Sequence, residues 1–193
     1  MPNLSIFASG KGSNAEQIIK HFAQNDKGVK IASLVCNRLD AGVLKVAERY
    51  HIPTQLFSNQ EIEEGSKLLD FLLHQQVDWI VLAGFLRKIP INLIRAFPER
   101  IINLHPSLLP KYGGKGMYGS RVHQAVLENK ESQSGISIHL VNEAYDQGKL
   151  LAQFNCKLEA DDNLKALEQK IQQLEHHHYP RVIEEHINQK IAQ

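Results

Sequence analysis

The chain has 193 residues, enough for one domain with a substantial hydrophobic core. Its 42% hydrophobic and 22% charged residues are typical of a globular protein, and the formal net charge of +1 disfavours electrostatic binding to nucleic acid. The two cysteines, Cys36 and Cys156, are far apart, so neither a disulfide framework nor a zinc site is expected. Because no signal peptide and no apolar run near ~20 residues is evident, we expect a cytoplasmic protein without a membrane partner.

Short apolar segments alternate with amphipathic segments over roughly the first half of the chain. Hydrophobicity and turn residues predict strands at 4–8, 29–35, 54–57, 79–83 and 101–104. Helical spacing of apolar residues predicts helices at 15–22, 41–50, 62–76 and 91–97. Strands that alternate with helices predict a mostly parallel sheet covered by helices on both faces.

The pattern changes beyond Pro110. Residues 111–120 are glycine-rich, 121–129 are predicted to be helical, and 134–141 and 150–154 alternate as two strands of an antiparallel extension. A long amphipathic helix is predicted over 163–178, with Pro180 marking a kink or a restart. No repeat or flexible linker is evident, so we predict a single domain over 1–193, with halves of about 1–100 and 101–193.

A glycine-rich turn, Ser9-Gly10-Lys11-Gly12-Ser13-Asn14, joins the first strand to the first helix. Glycines allow a tight turn and a close ligand, and the N–H groups at a helix start favour an anion, so the turn predicts a phosphate site. A dinucleotide site would need an acidic residue at the end of the second strand, where the chain has Asn37-Arg38. This argues against NAD and leaves open NADP, with Arg38 on its 2′-phosphate.

The apolar segment that ends at Leu104 carries two polar residues, Asn103 and His105, followed by Pro106. Residues two apart on a strand point to the same face, so the amide and the imidazole lie together at the carboxyl end of the strand. Pro106 stiffens the turn. Rigid donors of this kind stabilise a developing oxyanion, which predicts a catalytic site.

Asp146 follows the strand predicted at 134–141, with Gly148 two residues later. A carboxylate beside His105 would raise the pKa of the imidazole, orient the ring and relay a proton through water. His139, on the same strand, is predicted to be structural. The run His176-His177-His178 lacks the i, i+4 spacing of helical zinc ligands, so we expect no metal.

These segments together resemble the folate-dependent formyltransferases, and among them the branch that acts on glycinamide ribonucleotide. The resemblance extends from near residue 4 to about residue 185. The matching pieces are Gly10-Lys11-Gly12-Ser13-Asn14, Val81-Leu82-Ala83-Gly84-Phe85-Leu86-Arg87, Asn103-Leu104-His105-Pro106-Ser107-Leu108-Leu109-Pro110-Lys111-Tyr112, Asp146-Gln147-Gly148 and Glu175-His176-His177-His178-Tyr179-Pro180. The chain departs from the family pattern after Tyr112, where its loop of residues 113–120 is longer and richer in glycine.

The resemblance implies a single-domain, Rossmann-like α/β fold with a mostly parallel seven-stranded sheet. It implies three catalytic residues, Asn103, His105 and Asp146. It also implies that the substrate is bound through its phosphate by Gly12, Ser13 and Asn14 and through its ribose by Glu175. The implied folate-binding residues are Leu86, Arg87, Asn103, Val141, Asn142, Glu143, Ala144, Tyr145 and Asp146.

The implied reaction is direct transfer of a formyl group from 10-formyltetrahydrofolate to the glycine amine of glycinamide ribonucleotide. It needs no metal and no nicotinamide cofactor, and the enzyme would be a monomer or a homodimer. Three alternatives remain open: a formyltetrahydrofolate hydrolase, a methionyl-tRNA formyltransferase, and a nucleotide-binding module without catalytic activity. The hydrolases usually carry an additional N-terminal regulatory domain, and the methionyl-tRNA formyltransferases carry a C-terminal tRNA-binding domain. The nucleotide-binding module predicts bound dinucleotide without formyl transfer.

Overall fold

The computed structural model describes residues 1–23 and 28–192. Its strands are β1 (Asn3–Ala8), β2 (Lys30–Cys36), β3 (Thr54–Leu56), β4 (Trp79–Leu82), β5 (Ile101–His105), β6 (Gln133–Leu140) and β7 (Leu150–Lys157). Its helices are α1 (Ser13–Ala23), α2 (Val43–Arg49), α3 (Asn59–Glu64), α4 (Ser66–His74), α5 (Ile91–Ala96), α6 (Ser120–Glu128) and α7 (Leu164–Ile191).

The strands of the described residues form a seven-stranded sheet in the order β3-β2-β1-β4-β5-β6-β7. β1 pairs in parallel with β2 and β4, β2 with β3, and β4 with β5. β6 pairs antiparallel with β7. The predicted mostly parallel sheet with an antiparallel C-terminal extension is therefore confirmed. The order reverses between β1 and β4, and open α/β sheets bind ligands at the carboxyl ends of strands that flank such a point.

Two compact units make up the chain, Met1–Asn103 and Leu104–Gln193, with the boundary inside β5. The predicted single domain stays a prediction, and its last residue, Gln193, lies outside the described residues. The first unit has its core on the central strands. Leu4 and Ile6 on β1 and Ile80 and Val81 on β4 have no exposed surface, as expected of strands buried on both faces.

In the second unit, α7 packs against β6 and β7. Tyr179 is fully buried in this helix, and the helix continues through Pro180 to Ile191. The helix therefore does not restart at Pro180, and the predicted kink there stays a prediction. A proline removes one backbone N–H, and the buried side chains on both sides of Pro180 compensate for that loss. Among the described residues, no helix combines the length and the apolar character that crossing a bilayer requires.

The segment predicted as one helix over 62–76 forms two helices, α3 and α4, separated by Gly65. Gly65 has φ +73°, a left-handed conformation that ends α3. Ser58 begins α3 with a capping box, in which its hydroxyl accepts from the Glu61 N–H and the Glu61 carboxylate accepts from the Ser58 N–H. The apolar spacing continues across both helices, so periodicity alone did not reveal the break.

Two adjacent leucines of α4 provide a test of where the core lies. Leu72 has no exposed surface, whereas the Leu73 side chain is 58% exposed. We expect Leu72→Ala to lower the free energy of unfolding by about 2–5 kcal/mol, because it leaves a cavity in the core. The matched Leu73→Ala variant should change it by about 0.5 kcal/mol or less. Urea denaturation measures both, and equal losses would contradict this assignment of the core.

Candidate active site

The glycine-rich turn after β1 leads directly into α1. Gly12 has φ +86°, and a Cβ added to it would lie 2.7 Å from the Val43 Cα, so only glycine fits there. The Gly12 carbonyl accepts from the Glu16 N–H at 2.8 Å, and Ser13 and Asn14 occupy the first turn of α1. The three predicted phosphate-binding residues thus stand together at a helix N-terminus, where backbone N–H groups favour an anion.

Ser9 connects this turn to the segment that follows β4. Its hydroxyl donates to Asn37 Oδ1 at 2.7 Å and accepts from the Leu86 N–H at 3.0 Å. Leu86 and Arg87, two of the predicted folate-binding residues, are both exposed. The exposed segment is therefore held beside the end of β1 by its backbone, which leaves its side chains available to a ligand.

The end of β2 carries an amide where a dinucleotide site would need an acidic side chain. Asn37 takes the position of the expected acid and donates to Asn59 Oδ1 at 2.8 Å. Arg38 forms two hydrogen bonds with the Asp40 carboxylate, at 2.8 and 3.1 Å. A 2′-phosphate would have to displace Asp40 from Arg38, and this weakens the NADP alternative.

Asn103 and His105 both lie on β5, two residues apart as predicted. His105 is only 4% exposed, and its Nε2 is 2.7 Å from the Tyr112 carbonyl oxygen. A carbonyl oxygen can only accept, so Nε2 must carry a hydrogen. In the neutral imidazole this leaves Nδ1 as the one ring nitrogen with a free lone pair.

Asp146 lies against that Nδ1, with its Oδ2 at 3.6 Å. The same Oδ2 accepts from the Gly114 N–H at 2.8 Å. The other oxygen, Oδ1, is 3.6 Å from His139 Nε2. The Nδ1 of His139 is 2.9 Å from the Leu140 carbonyl oxygen and must carry a hydrogen by the same argument. One carboxylate therefore stands between two imidazoles that each present a lone pair when neutral.

The loop before Asp146 explains the Asp-x-Gly spacing. Asn142 organises the turn by accepting from the Ala144 N–H at 3.0 Å and donating to the Gln147 carbonyl at 3.2 Å. Asp146 itself has φ +53°, a conformation that aspartate tolerates better than most residues. A Cβ on Gly148 would overlap the Leu140 carbonyl, so the chain returns to β6 only with glycine there. The residues predicted to bind folate in this loop, Val141 to Tyr145, are half-buried or exposed.

Burial dominates the electrostatics of the site. It lowers the pKa of His105 below its ordinary value, although the Asp146 charge and the Tyr112 carbonyl oppose it. Burial alone would raise the pKa of Asp146, but His139, the Gly114 N–H and His105 together bring it below the ordinary value. Asp146 thus acts on the pKa of His105 in the predicted direction, but burial outweighs it and the net shift is downward. The sequence alone does not show how deeply His105 is buried.

Other predicted residues lie on α7. Glu175 is half-buried in the second unit, and together with burial it raises the pKa of Tyr179. His177 is 3.1 Å from Arg181, and His178 stacks on Phe154 with ring centroids 3.6 Å apart. In the part of the chain that the structure describes, no group of three or more His, Cys, Asp or Glu side chains could hold a metal ion.

Sequence reasoning missed four residues of the second unit. His139 was predicted to be structural, yet its imidazole contacts Asp146. The backbone groups of Tyr112 and Gly114 act on His105 and Asp146, and no side-chain pattern announces them. His123 on α6 is also buried, and its Nδ1 lacks a hydrogen-bond partner among the described residues. The sequence predicted that His123 lies on a helix over 121–129, but it gave no sign that the imidazole is buried.

The chain matches the formyl transferase family over residues 3–183 and therefore belongs to that family. The phosphoribosylglycinamide formyltransferase of Bacillus subtilis is 35% identical over 96% of this chain and 94% of its own length. The chloroplastic phosphoribosylglycinamide formyltransferase of Arabidopsis thaliana is 40% identical over 93% of this chain. The chain spans 63% of the length of that plant relative.

Solved structures agree with these relatives. The crystal structure of glycinamide ribonucleotide transformylase 1 from Geobacillus kaustophilus matches 95% of this chain and 97% of its own, with a TM-score of 0.87 and 34% identity. The phosphoribosylglycinamide formyltransferase from Bacillus halodurans matches with a TM-score of 0.87 and 30% identity, over 95% of this chain. The resemblance found in the sequence is confirmed by these comparisons.

The electrostatics of the site make a prediction that needs no substrate. Titration of the histidine side chains by ¹⁵N NMR should show the His105 midpoint below its ordinary value of 6.5, because burial disfavours the cation. In Asp146→Asn the midpoint should fall further, since the charge that stabilises the imidazolium is gone. The His105→Gln variant assigns the signal. A midpoint above 6.5, or an upward shift in Asp146→Asn, would contradict the burial argument.

Proposed function

We propose that this protein transfers a formyl group from 10-formyltetrahydrofolate to the glycine amine of glycinamide ribonucleotide. The observation that carries the proposal is the pair of His105 and Asp146, in which the Tyr112 carbonyl leaves only Nδ1 of His105 free to exchange a proton. Relatives named phosphoribosylglycinamide formyltransferase support the substrates. We further propose that the reaction takes place in the cytoplasm and involves small molecules only.

In the proposed reaction the neutral amine attacks the formyl carbon and forms a tetrahedral intermediate with negative charge on oxygen. The Asn103 amide N–H donates to that oxygen. Nδ1 of His105 accepts the proton that the attacking amine loses, either directly or through a water held by Asp146, and the imidazolium then also stabilises the oxyanion. When the bond to the folate nitrogen breaks, the same proton is delivered to that nitrogen, and His105 returns to its neutral form.

The depressed pKa of His105 fits this sequence of steps. An imidazole that is neutral at rest can accept the proton, and once protonated it is a stronger acid than an exposed histidine. Asp146 is ionised at neutral pH because its pKa is lowered, so it stabilises the imidazolium during the reaction. No covalent intermediate with the protein is required.

For substrate binding we propose that Gly12, Ser13 and Asn14 hold the phosphate and that Glu175 accepts from the ribose hydroxyls. The position of these residues at the N-terminus of α1, where backbone N–H groups favour an anion, supports the first assignment. The family resemblance supports the second. We assign the folate to Leu86 and Arg87 and to the loop from Val141 to Asp146. Holding both substrates in place supplies further acceleration through orientation.

The catalytic assignments can be tested by substitution. Asn103→Ala and Asp146→Asn should each lower kcat about 100-fold or more, because each removes a group that stabilises the transition state. The control is Asp161→Asn, which changes an exposed aspartate by the same atoms and should leave kcat unchanged. Turnover is followed spectrophotometrically from the folate product, and circular dichroism checks the fold. Near-normal turnover in folded Asp146→Asn would remove that residue from the catalytic set.

The phosphate assignment makes a separate prediction about affinity. The double variant Ser13→Ala, Asn14→Ala should weaken binding of glycinamide ribonucleotide by about 10-fold or more while it leaves folate binding unchanged, since only the first ligand carries a phosphate. Calorimetry with each ligand measures the difference, and the folate serves as the internal control. Equal weakening of both ligands counts against the phosphate loop. Binding of a dinucleotide without any formyl transfer would favour the non-catalytic alternative.

A further inference from the structure

A half-buried carboxylate outside the candidate site forms a hydrogen bond with the residue whose carbonyl contacts His105. Glu131 lies between α6 and β6. Its Oε1 accepts from the Tyr112 hydroxyl at 2.9 Å and from Lys111 Nζ at 2.8 Å, and its Oε2 accepts from the same Nζ at 3.2 Å. These bonds hold the pKa of Glu131 below its ordinary value, so the side chain is ionised at neutral pH.

Tyr112 forms hydrogen bonds through both its side chain and its backbone carbonyl. Its hydroxyl reaches Glu131, and its backbone carbonyl accepts from His105 Nε2 at 2.7 Å. Its φ of +55° is uncommon for a bulky residue and persists only where the surroundings impose it. The preceding backbone is also fixed, because the Ser107 hydroxyl donates to the Lys111 carbonyl at 2.7 Å. The direction of the Tyr112 carbonyl, which sets the His105 tautomer, thus depends on an unfavourable backbone conformation. Contacts with neighbouring residues must stabilise that conformation.

We propose that Glu131 is a positioning residue, which acts through the Tyr112 side chain and carbonyl to hold His105 with its Nδ1 toward Asp146. This inference deepens the proposed function and rests on it for the effect on turnover. Glu131 touches no reacting atom in this scheme. Its role is to restrain Tyr112, so that Nε2–H keeps its acceptor while Nδ1 gains and loses the proton.

Glu131 makes two kinds of bond, and they should differ in importance. The ion pair with Lys111 is exposed, since the Lys111 side chain is 66% exposed, and such pairs contribute little. The bond from the Tyr112 hydroxyl is partly buried and acts on the residue whose backbone is strained. Removal of the hydroxyl should therefore matter more than removal of the lysine charge.

Four variants test this arrangement. Tyr112→Phe removes only the hydroxyl, Glu131→Ala removes the acceptor, and Lys111→Met removes only the ion pair. Glu128→Gln is the matched control, because Glu128 is an exposed acid at the end of α6 that bonds to Gln124 on its own helix. For each we measure kcat, KM for both substrates, the melting temperature, and the ¹⁵N spectrum of the His105 ring as a function of pH.

We expect kcat to fall about 3- to 10-fold in Tyr112→Phe and Glu131→Ala, with KM unchanged, since a weakened neutral hydrogen bond has effects of this size. In both variants the His105 Nε2 signal should move, and its titration midpoint should fall, because the Tyr112 carbonyl stabilises the imidazolium. The charges of Asp146 and His139 also act on His105, and the charge of His105 acts on His123. None of these three residues is changed by the substitutions. Lys111→Met should have a smaller effect, and Glu128→Gln none.

Two results would overturn the inference. One is wild-type kcat together with a wild-type His105 spectrum in both Tyr112→Phe and Glu131→Ala. The other is a loss of kcat with a lower melting temperature and an unchanged His105 spectrum, which would mean that Glu131 only stabilises the fold. If the wild-type protein transfers no formyl group, the proposed function fails, and the ¹⁵N spectra alone still decide whether Glu131 positions His105.

Discussion

The hydrogen bond from His105 Nε2 to the Tyr112 carbonyl is the constraint on which the chemistry of the second unit depends. An imidazole has two nitrogens, and which of them carries the hydrogen in the neutral form is decided by what each one faces. A carbonyl oxygen accepts and never donates, so the hydrogen stays on Nε2. Nδ1 is left as the only position that can gain and lose a proton, and that position faces Asp146. Without this bond the ring could rotate or exchange tautomers, and the lone pair would have no fixed direction.

A second consequence follows for the carboxylate. Asp146 is close to two imidazoles whose remote nitrogens are both occupied by backbone carbonyls, Tyr112 for His105 and Leu140 for His139. A proton added to either ring therefore goes to the nitrogen that faces Asp146. The Gly114 N–H donates to the carboxylate as well and favours its charged form. The site thus combines a carboxylate that stays ionised with the His105 imidazole, whose pKa is lowered by burial.

The sequence predicted the parts of this protein that depend on local pattern. Hydrophobic segments and the turn residues between them located the strands. The glycines before α1 predicted a tight turn, and Gly12 has a positive φ and lies against Val43. The break at Gly65 was missed because the apolar spacing runs through it unchanged. His139 was predicted to be structural because alternation shows which face of a strand a residue occupies, but not which side chain lies across from it. That contact depends on a loop whose path is set by Gly148 and Asp146.

The same limitation explains why the direction of the His105 pKa shift could not be derived from the motif. An aspartate near a histidine implies a higher pKa when both groups are exposed, and burial implies a lower one. The two effects compete, and the winner depends on how completely the ring is removed from water. His105 is 4% exposed, and its loss of hydration lowers the pKa more than the Asp146 charge raises it. The Asp146 oxygen is 3.6 Å away, which is longer than a good charge-assisted hydrogen bond. A base that is weak at rest suits a group that must release its proton again within the same reaction, because the depressed pKa that makes protonation unfavourable makes the later transfer to the folate nitrogen easier.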